Sequence, residues 1–205
     1  MKKLNIAYTC NVRQPWMEDE RYGEFEGPDT IHAVTVALER IGANVELIDV
    51  GPDIYYQLDK RKHHIDLVFN NTEGLDEKEL REAIVPFFCE HLHIPYTGNS
   101  PKTFINKMDK ATAKRIVAYH DVPTARFQLM NPGDQLSDLS FPLMVKPYSE
   151  GTSIGISQKS KVHDLAELER AVSLVDAQFN EAALVEEFLP GKEYTIGLIG
   201  QYVLP

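Results

Sequence analysis

Apolar residues follow two rhythms over the first hundred positions. LNIAYT (4–9), NVELIDV (44–50) and IDLVFN (65–70) are short runs bounded by polar or turn-forming residues, and each predicts a strand. Between the first two, GPDTIHAVTVALERIGA opens near Pro28 and repeats Ile31, Val34, Leu38 and Ile41 at helical spacing. Gly42 supplies the stop, so a helix is predicted there. A further helix is predicted over 77–92 despite Pro86, followed by HIPYTG (93–98) as a short strand and turn. This alternation predicts a parallel, Rossmann-like sheet covered on both faces. Such sheets receive ligands beyond the C-terminal ends of their strands, which singles out the loops 10–26 and 70–76.

The pattern changes after TGNSPKT (97–103), a boundary that divides the chain into 1–100 and 101–205. KMDKATAKRIVAYHD (107–121) reads as one basic helix. From there strands dominate: ARFQLM (125–130), FPLMVK (141–146), SIGISQ (153–158), a helix near 162–175, then AALVEEF (182–188) and YTIGLIG (194–200). Short connections between them predict a mainly antiparallel sheet with a crossover helix. The expected fold is therefore an α/β N-terminal domain followed by an α+β lobe. NPGDQLSDLS (131–140) reads as a surface loop.

Composition narrows the function. With 43% hydrophobic and 25% charged residues over 205 positions, the chain is an ordinary globular one. A formal net charge of −10 argues against nucleic acid or an anionic membrane as the main partner. The two cysteines, Cys10 and Cys89, stand in unrelated contexts and form no disulfide framework. MKKLNIAYTCNV reads as a first strand rather than a signal peptide, and no apolar run approaches the roughly 18 residues that span a bilayer. A cytoplasmic protein is expected.

Chemistry concentrates in VKPYSEGTSIGIS (145–157). Gly151 and Gly155 let the backbone bend and form an anion nest, Thr152 and Ser153 add hydroxyl donors, and Lys146 adds a point charge. The segment matches neither a Walker loop nor a dinucleotide fingerprint, since it joins two predicted strands. A plain hairpin with a solvated lysine is the alternative. MDK (108–110) begins a helix with a second lysine, Lys110, which is otherwise part of a solvated basic face. LVEEFLPGKEYTIG (184–197) places Glu186, Glu187, Phe188 and Leu189 at a strand exit and Glu193 after a Pro-Gly turn. Those groups suit an adenine edge and a ribose diol, or simply an acidic strand end. Cys89, His91 and His93 alternate poorly for metal binding on a helix, and His63-His64 reads as an exposed turn.

Taken together and in order, DLVFNNTEG, PFFCEHLHIPYTGNSP, MDKATAK, VPTARF, FPLMVKPYSEGTSIGIS and LVEEFLPGKEYTIGLIG resemble the ATP-grasp superfamily. Within it they are similar to the D-alanine–D-alanine ligase-like branch. The resemblance runs from about 65 to 200. It implies a pre-ATP-grasp domain followed by part of the grasp domain, and an ATP-dependent ligation of a carboxylate to an amine through an acyl phosphate. By position it implies Lys110 and Lys146 on the α- and β-phosphates. Glu150, Gly151, Thr152, Ser153, Ile154 and Gly155 become the phosphate loop, with Ser153 the foremost hydroxyl contact. Glu186 lies by the adenine amino group, Glu187 and Leu189 supply hinge backbone contacts, and Glu193 holds the ribose. Ile154, Val145 and Phe188 either sandwich the base or pack the core.

The family's magnesium ligands, an aspartate, a glutamate and an asparagine, have no counterpart within 1–205. The expectation is thus an incomplete grasp domain with no metal ligand of its own and no turnover alone. The front of the chain also departs from the family. The glycine-, serine- and glutamate-bearing segment after the first strand becomes YTCNVRQPWMEDERYGEFEGPDT, where Glu24 or Glu26 could orient a substrate amine. Asn70-Asn71-Thr72-Glu73-Gly74 replaces a His-Gly loop, with Glu73 and Arg81 as further substrate candidates. The expected partners are ATP, magnesium and a small amino-acid-like substrate, and a homodimer through the N-terminal domain is among the implications. A ligase for another amino acid or peptide, and a non-catalytic nucleotide-binding module, remain open.

Overall fold

The computed structural model describes residues 3–18, 22–75 and 80–204. Positions 19–21 and 76–79 of the loops and helix expected above, and the final Pro205, lie outside the described residues. Three strands, β1 (Asn5–Cys10), β2 (Asn44–Asp49) and β3 (Leu67–Asn71), form a parallel sheet in the order β2-β1-β3. Ile6 of the central strand pairs with Val45 on one side and Leu67 on the other. Side-chain alternation gives β1 two buried faces. Ala7 joins Ile48 and Val68 in a core with Ile54, Leu58, Val85 and Cys89, while Tyr8 and Cys10 are buried on the opposite face.

Helix α1 (Pro28–Arg40) begins with proline in its first turn and ends before Gly42, whose φ of 90° suits glycine. Helix α2 (Ile54–Arg61) was not foreseen in the sequence, yet its Ile54 and Leu58 are among the most buried side chains of the core. The helix expected over 77–92 is a short 3-10 turn at Arg81–Ala83 followed by α3 (Ile84–Leu92), with Pro86 in the first turn of α3, where its missing N–H costs nothing. HIPYTG makes only an isolated parallel bridge, Val68 to Tyr96, rather than a strand.

The single basic helix expected over 107–121 is in fact two. Helix α4 (Pro101–Met108), capped by Ser100, gives way at an extended Asp109 to α5 (Lys110–Tyr119). Asp109 caps α5 by accepting from the Thr112 N–H at 2.9 Å. The cap breaks the helix and places Lys110 at the start of α5.

A second, antiparallel sheet has the order β4-β7-β5-β6, built from β4 (Phe127–Met130), β5 (Leu143–Pro147), β6 (Lys161–Val162) and β7 (Ala183–Glu187). Helix α6 (Leu165–Phe179), capped by Asp164, covers one face. Leu143, Val145, Ala183 and Val185 meet Leu168, Val172 and Val175 in its core. The expected strand over 153–158 is not formed. Turns and a 3-10 segment at Gln158–Ser160 fill it, and the return strand is the two-residue β6. YTIGLIG likewise contributes only β8 (Leu198–Ile199), which pairs with β9 (Tyr202–Val203) in a separate exposed hairpin. Among the described residues, no helix is long and apolar enough to cross a membrane.

Candidate functional site

Parallel strands deliver their C-terminal ends to one side of the first sheet, so the segments after β1 and β3 meet there. Asn11 joins them. Its buried amide donates to the Val50 carbonyl at 3.3 Å and the Gly74 carbonyl at 2.9 Å. Its carbonyl accepts from the Glu73 and Gly74 N–H groups at 2.9 and 3.0 Å. One side chain thereby fixes the exits of all three strands. Gly74 has φ of 106°, and a Cβ there would fall 1.8 Å from the Arg81 carbonyl oxygen, so only glycine fits that close approach.

The second sheet supplies the cations. Alternation puts Val145 on the α6 side of β5 and Lys146 on the other. On the neighbouring strand, Glu186 faces the same way as Lys146 and ion-pairs with it at 2.5 Å. Lys114, one turn into α5, reaches the other Glu186 oxygen at 2.7 Å and also donates to the Thr124 hydroxyl at 2.8 Å. Burial pushes the Glu186 carboxyl up, but hydrogen bonds from Lys114 and Lys146 outweigh it and hold the group below the usual carboxylate range. Lys114 carried no signal in the sequence, since a lysine on a basic helix face is ordinary.

Lys110 sits across from the segment after β5. Its ammonium donates to the Glu150 carbonyl and, at 3.4 Å, to the Tyr148 carbonyl, while its backbone N–H also reaches the Tyr148 carbonyl. Burial first, and the nearby Lys146 charge second, lower its pKa. Beyond Glu150 the chain makes two consecutive turns, closed by Ile154 N–H to Gly151 O at 2.9 Å and Ile156 N–H to Ser153 O at 3.0 Å. Thr152 and Ser153 have φ of 44° and 63°, left-handed values that residues with a Cβ seldom adopt. Ile154 turns inward and is buried, whereas Ser153 is exposed.

The loop then meets the first sheet's loops. The Thr152 hydroxyl donates to Glu24 at 2.5 Å, and Arg81 ion-pairs with the same glutamate at 2.9 Å. Arg81 Nη2 also lies 3.9 Å from the Glu150 carboxylate. Burial opposes ionisation of Glu24, but the Thr152 and Arg81 contacts prevail and its pKa falls. Glu73 has the opposite fate: burial, then the charges of Glu24 and Glu82, push it up to about 7. Glu24, Glu73, Glu82, Lys107, Lys110 and residues 149–152 line a cavity of about 280 Å³.

The remaining sequence-selected residues lie apart from this cluster. Glu26 accepts from the Asn71 amide at 2.6 Å, beside the sheet. Glu187 pairs with Arg126 at 2.5 Å, and its N–H is occupied by the Arg126 carbonyl. Phe188 lies under the Lys161 ammonium at 3.9 Å from its ring centre, whereas Leu189 and Glu193 are exposed. Val145 belongs to the core beneath the sheet.

Residues 115–204 match the family described as D-ala D-ala ligase C-terminus. The chain is 35% identical over 176 residues to a D-alanine–D-alanine ligase of Syntrophotalea carbinolica, covering 84% of this chain and 54% of that protein. These matches support a D-alanine–D-alanine ligase-like family of the ATP-grasp superfamily. The chain is also 37% identical over 135 residues to the uncharacterized protein y4sG of Sinorhizobium fredii, covering 65% of this chain and 39% of that one. A D-alanine–D-alanine ligase from Bacillus anthracis superimposes with a TM-score of 0.68 at 20% identity, over 93% of this chain and 58% of that structure. The same enzyme complexed with ATP gives 0.67 at 18%, over 100% and 68%. At those identities the likeness is one of fold. The chain spans about half the length of the curated relatives it matches.

Proposed function

We propose that this chain supplies the phosphate-binding and amine-facing parts of an ATP-dependent carboxylate–amine ligase. ATP transfers its γ-phosphoryl group to a substrate carboxylate, releasing ADP. The amine then attacks the acyl phosphate, forming the C–N bond as phosphate leaves and the nitrogen gives up a proton. The convergence of Lys110, Lys146 and the 150–155 loop carries this reading. Lys110 reaches the glycine-bearing loop, and Lys146, on the strand that leads into it, lies near enough for its charge to lower the Lys110 pKa, an arrangement suited to neutralising and aligning phosphates. Lys146, now paired with Glu186, would turn to the phosphates, and Lys114 would keep the Glu186 charge compensated so that it accepts from the adenine amino group. Ser153, at the exposed tip, would meet a phosphate, while Thr152 ties the loop to Glu24. Phe188, Leu189 and Glu193 would line the adenosine only if the exposed 188–194 segment folds over it.

Magnesium is part of the proposed reaction. Among the described residues, however, no group of three or more His, Cys, Asp or Glu is placed to hold a metal ion. The lysines and the loop are the neutralising groups proposed for this chain, and the 205 residues alone are proposed to bind nucleotide without turnover. The altered segment after the first strand, residues 8–30, favours another amino acid or a peptide as substrate over strict D-alanine use.

Calorimetric titration of magnesium–ATP into the chain and into Lys146→Ala tests the reading. Loss of a charge-assisted contact weakens binding by about ten- to a hundredfold. Equal affinity in the two proteins, or no ATP binding by the unmodified chain, would overturn it.

A further inference from the structure

The strand register of the second sheet sets a carboxylate with no role so far against the entry to the 150–155 loop. β5 and β7 pair antiparallel with Pro147 opposite Ala183, so two residues further out Ser149 stands opposite Glu181. The paired strands stop at Pro147, and the Glu181 side chain continues the contact beyond them. One of its oxygens accepts from the Ser149 N–H at 3.3 Å and the other from the Ser149 hydroxyl, which is buried with its residue. Asn180, with a left-handed φ of 52°, ends α6 directly before Glu181. A trans peptide points its C=O and N–H to opposite sides, so the Tyr148–Ser149 peptide is held at both edges by opposite charges. The Tyr148 carbonyl accepts from the Lys110 N–H at 3.1 Å and from its ammonium at 3.4 Å, while the Ser149 N–H donates to Glu181. The far end of the loop rests on the same turn of chain. A Cβ at Gly155 would fall 2.7 Å from the ring of Phe179, the last residue of α6.

We propose that Glu181 is a positioning residue for the 150–155 loop: it seats the loop's entry from the peptide edge opposite Lys110 and sets a counter-charge near that lysine. The grip itself stands without the ligase reading; its bearing on ATP rests on that reading. An anion arriving at the loop competes with the Tyr148 and Glu150 carbonyls for Lys110 but does not compete for Glu181. The Ser149 contacts therefore stay made while the lysine turns to a phosphate. Charge is the second half of the role. Burial, then the Lys146 charge, lower the Lys110 pKa, and Arg81 adds to them, whereas Glu181 and Glu150 oppose them. Glu24, Glu73, Glu82 and Lys107 share a cavity wall with Lys110. All of these groups but Glu181 are unchanged when Glu181 is replaced by glutamine, so the lysine then loses its proton at a lower pH.

The test compares the 205-residue chain with Glu181→Gln, Glu181→Asp and Ser149→Ala. Without ligand, the ε-carbon signal of Lys110 is followed against pH, and hydrogen exchange is read at the amide of position 149. Glu181→Gln leaves a neutral acceptor for Ser149 and removes the charge. It is expected to lower the Lys110 midpoint and to reduce protection of the 149 amide by about tenfold. Glu181→Asp keeps the charge on a shorter arm and is expected to return the midpoint toward the parent value while protection stays low. Ser149→Ala removes the hydroxyl contact alone, so protection falls and the midpoint stays. An unmoved midpoint in Glu181→Gln would overturn the charge role. Parent-level protection in Ser149→Ala would overturn the grip, even if Glu181→Gln does not fold. Magnesium–ATP is then titrated from neutral to alkaline pH, and the pH at which affinity is halved is expected to move down in Glu181→Gln with the Lys110 midpoint. Identical ATP profiles beside a shifted lysine would overturn the bearing on nucleotide. No ATP binding by the parent, with both ligand-free changes present, would instead overturn the ligase reading and leave the grip standing.

Discussion

Glu73 should impose a pH dependence on folding stability that a single substitution removes. Its pKa rises from 4.5 to about 7 in the folded protein, because burial and the Glu24 and Glu82 charges disfavour its ionised form. The native state therefore holds a proton that the unfolded chain has already released between those two values. Stability must fall as pH rises through that window, the reverse of the usual salt-bridged carboxylate. At about 1.36 kcal/mol per pKa unit the full effect is about 3 kcal/mol, and partial solvent access reduces it to about 2 kcal/mol. Below pH 4.5 the group is protonated in both states and contributes nothing. Urea denaturation of the parent chain and Glu73→Gln at intervals from pH 4.5 to 8 isolates the term, since the other titrating groups are common to both. The variant should gain on the parent progressively and hold the full difference above pH 7. Two curves that stay parallel across the range would refute the burial and charge argument for Glu73.

Asn11→Ala removes four hydrogen bonds at the sheet's C-terminal end and should lower unfolding free energy by about 2–4 kcal/mol, read by urea titration; a loss under about 0.5 kcal/mol would mean the loops hold themselves. Gly155→Ala adds a Cβ within 2.7 Å of the Phe179 ring and Pro147 at a φ of 73°, and should cost about 1–3 kcal/mol with a matching fall in Tm.

The sheet that organises the first site was legible because its strands are apolar runs and α1 carries a clean helical repeat between a proline and a glycine. The antiparallel second sheet was legible for the same reason. Failures fell where local pattern and tertiary geometry disagree. Ile154 and Ile156 alternate with serine and glycine as a strand would, but the left-handed residues at 152, 153 and 155 coil that stretch into turns. Helix α2 is short, and its apolar positions, Ile54 and Leu58, give too little repeat to stand out. Asp109 hides a helix break inside a continuous basic pattern, because a cap and an interior residue look alike without the Thr112 contact. Lys110, Lys146 and Glu186 could be selected from motif order, whereas Asn11 and Lys114 could not. Asn11 matters only because the fold brings positions 50 and 74 to it, and Lys114 only because α5 crosses the face that bears Glu186.

Lys110 holds two carbonyls of the 148–150 segment with the ammonium that an anion would seek. One amine cannot serve both at full strength, so anion affinity and loop mobility are two readings of a single equilibrium. Whatever loosens the loop frees the lysine and raises affinity, and whatever draws the lysine away loosens the loop by the same free energy. The Thr152–Glu24 tie holds that loop from the far side of the chain, 128 residues away, so the reciprocity extends to the first sheet.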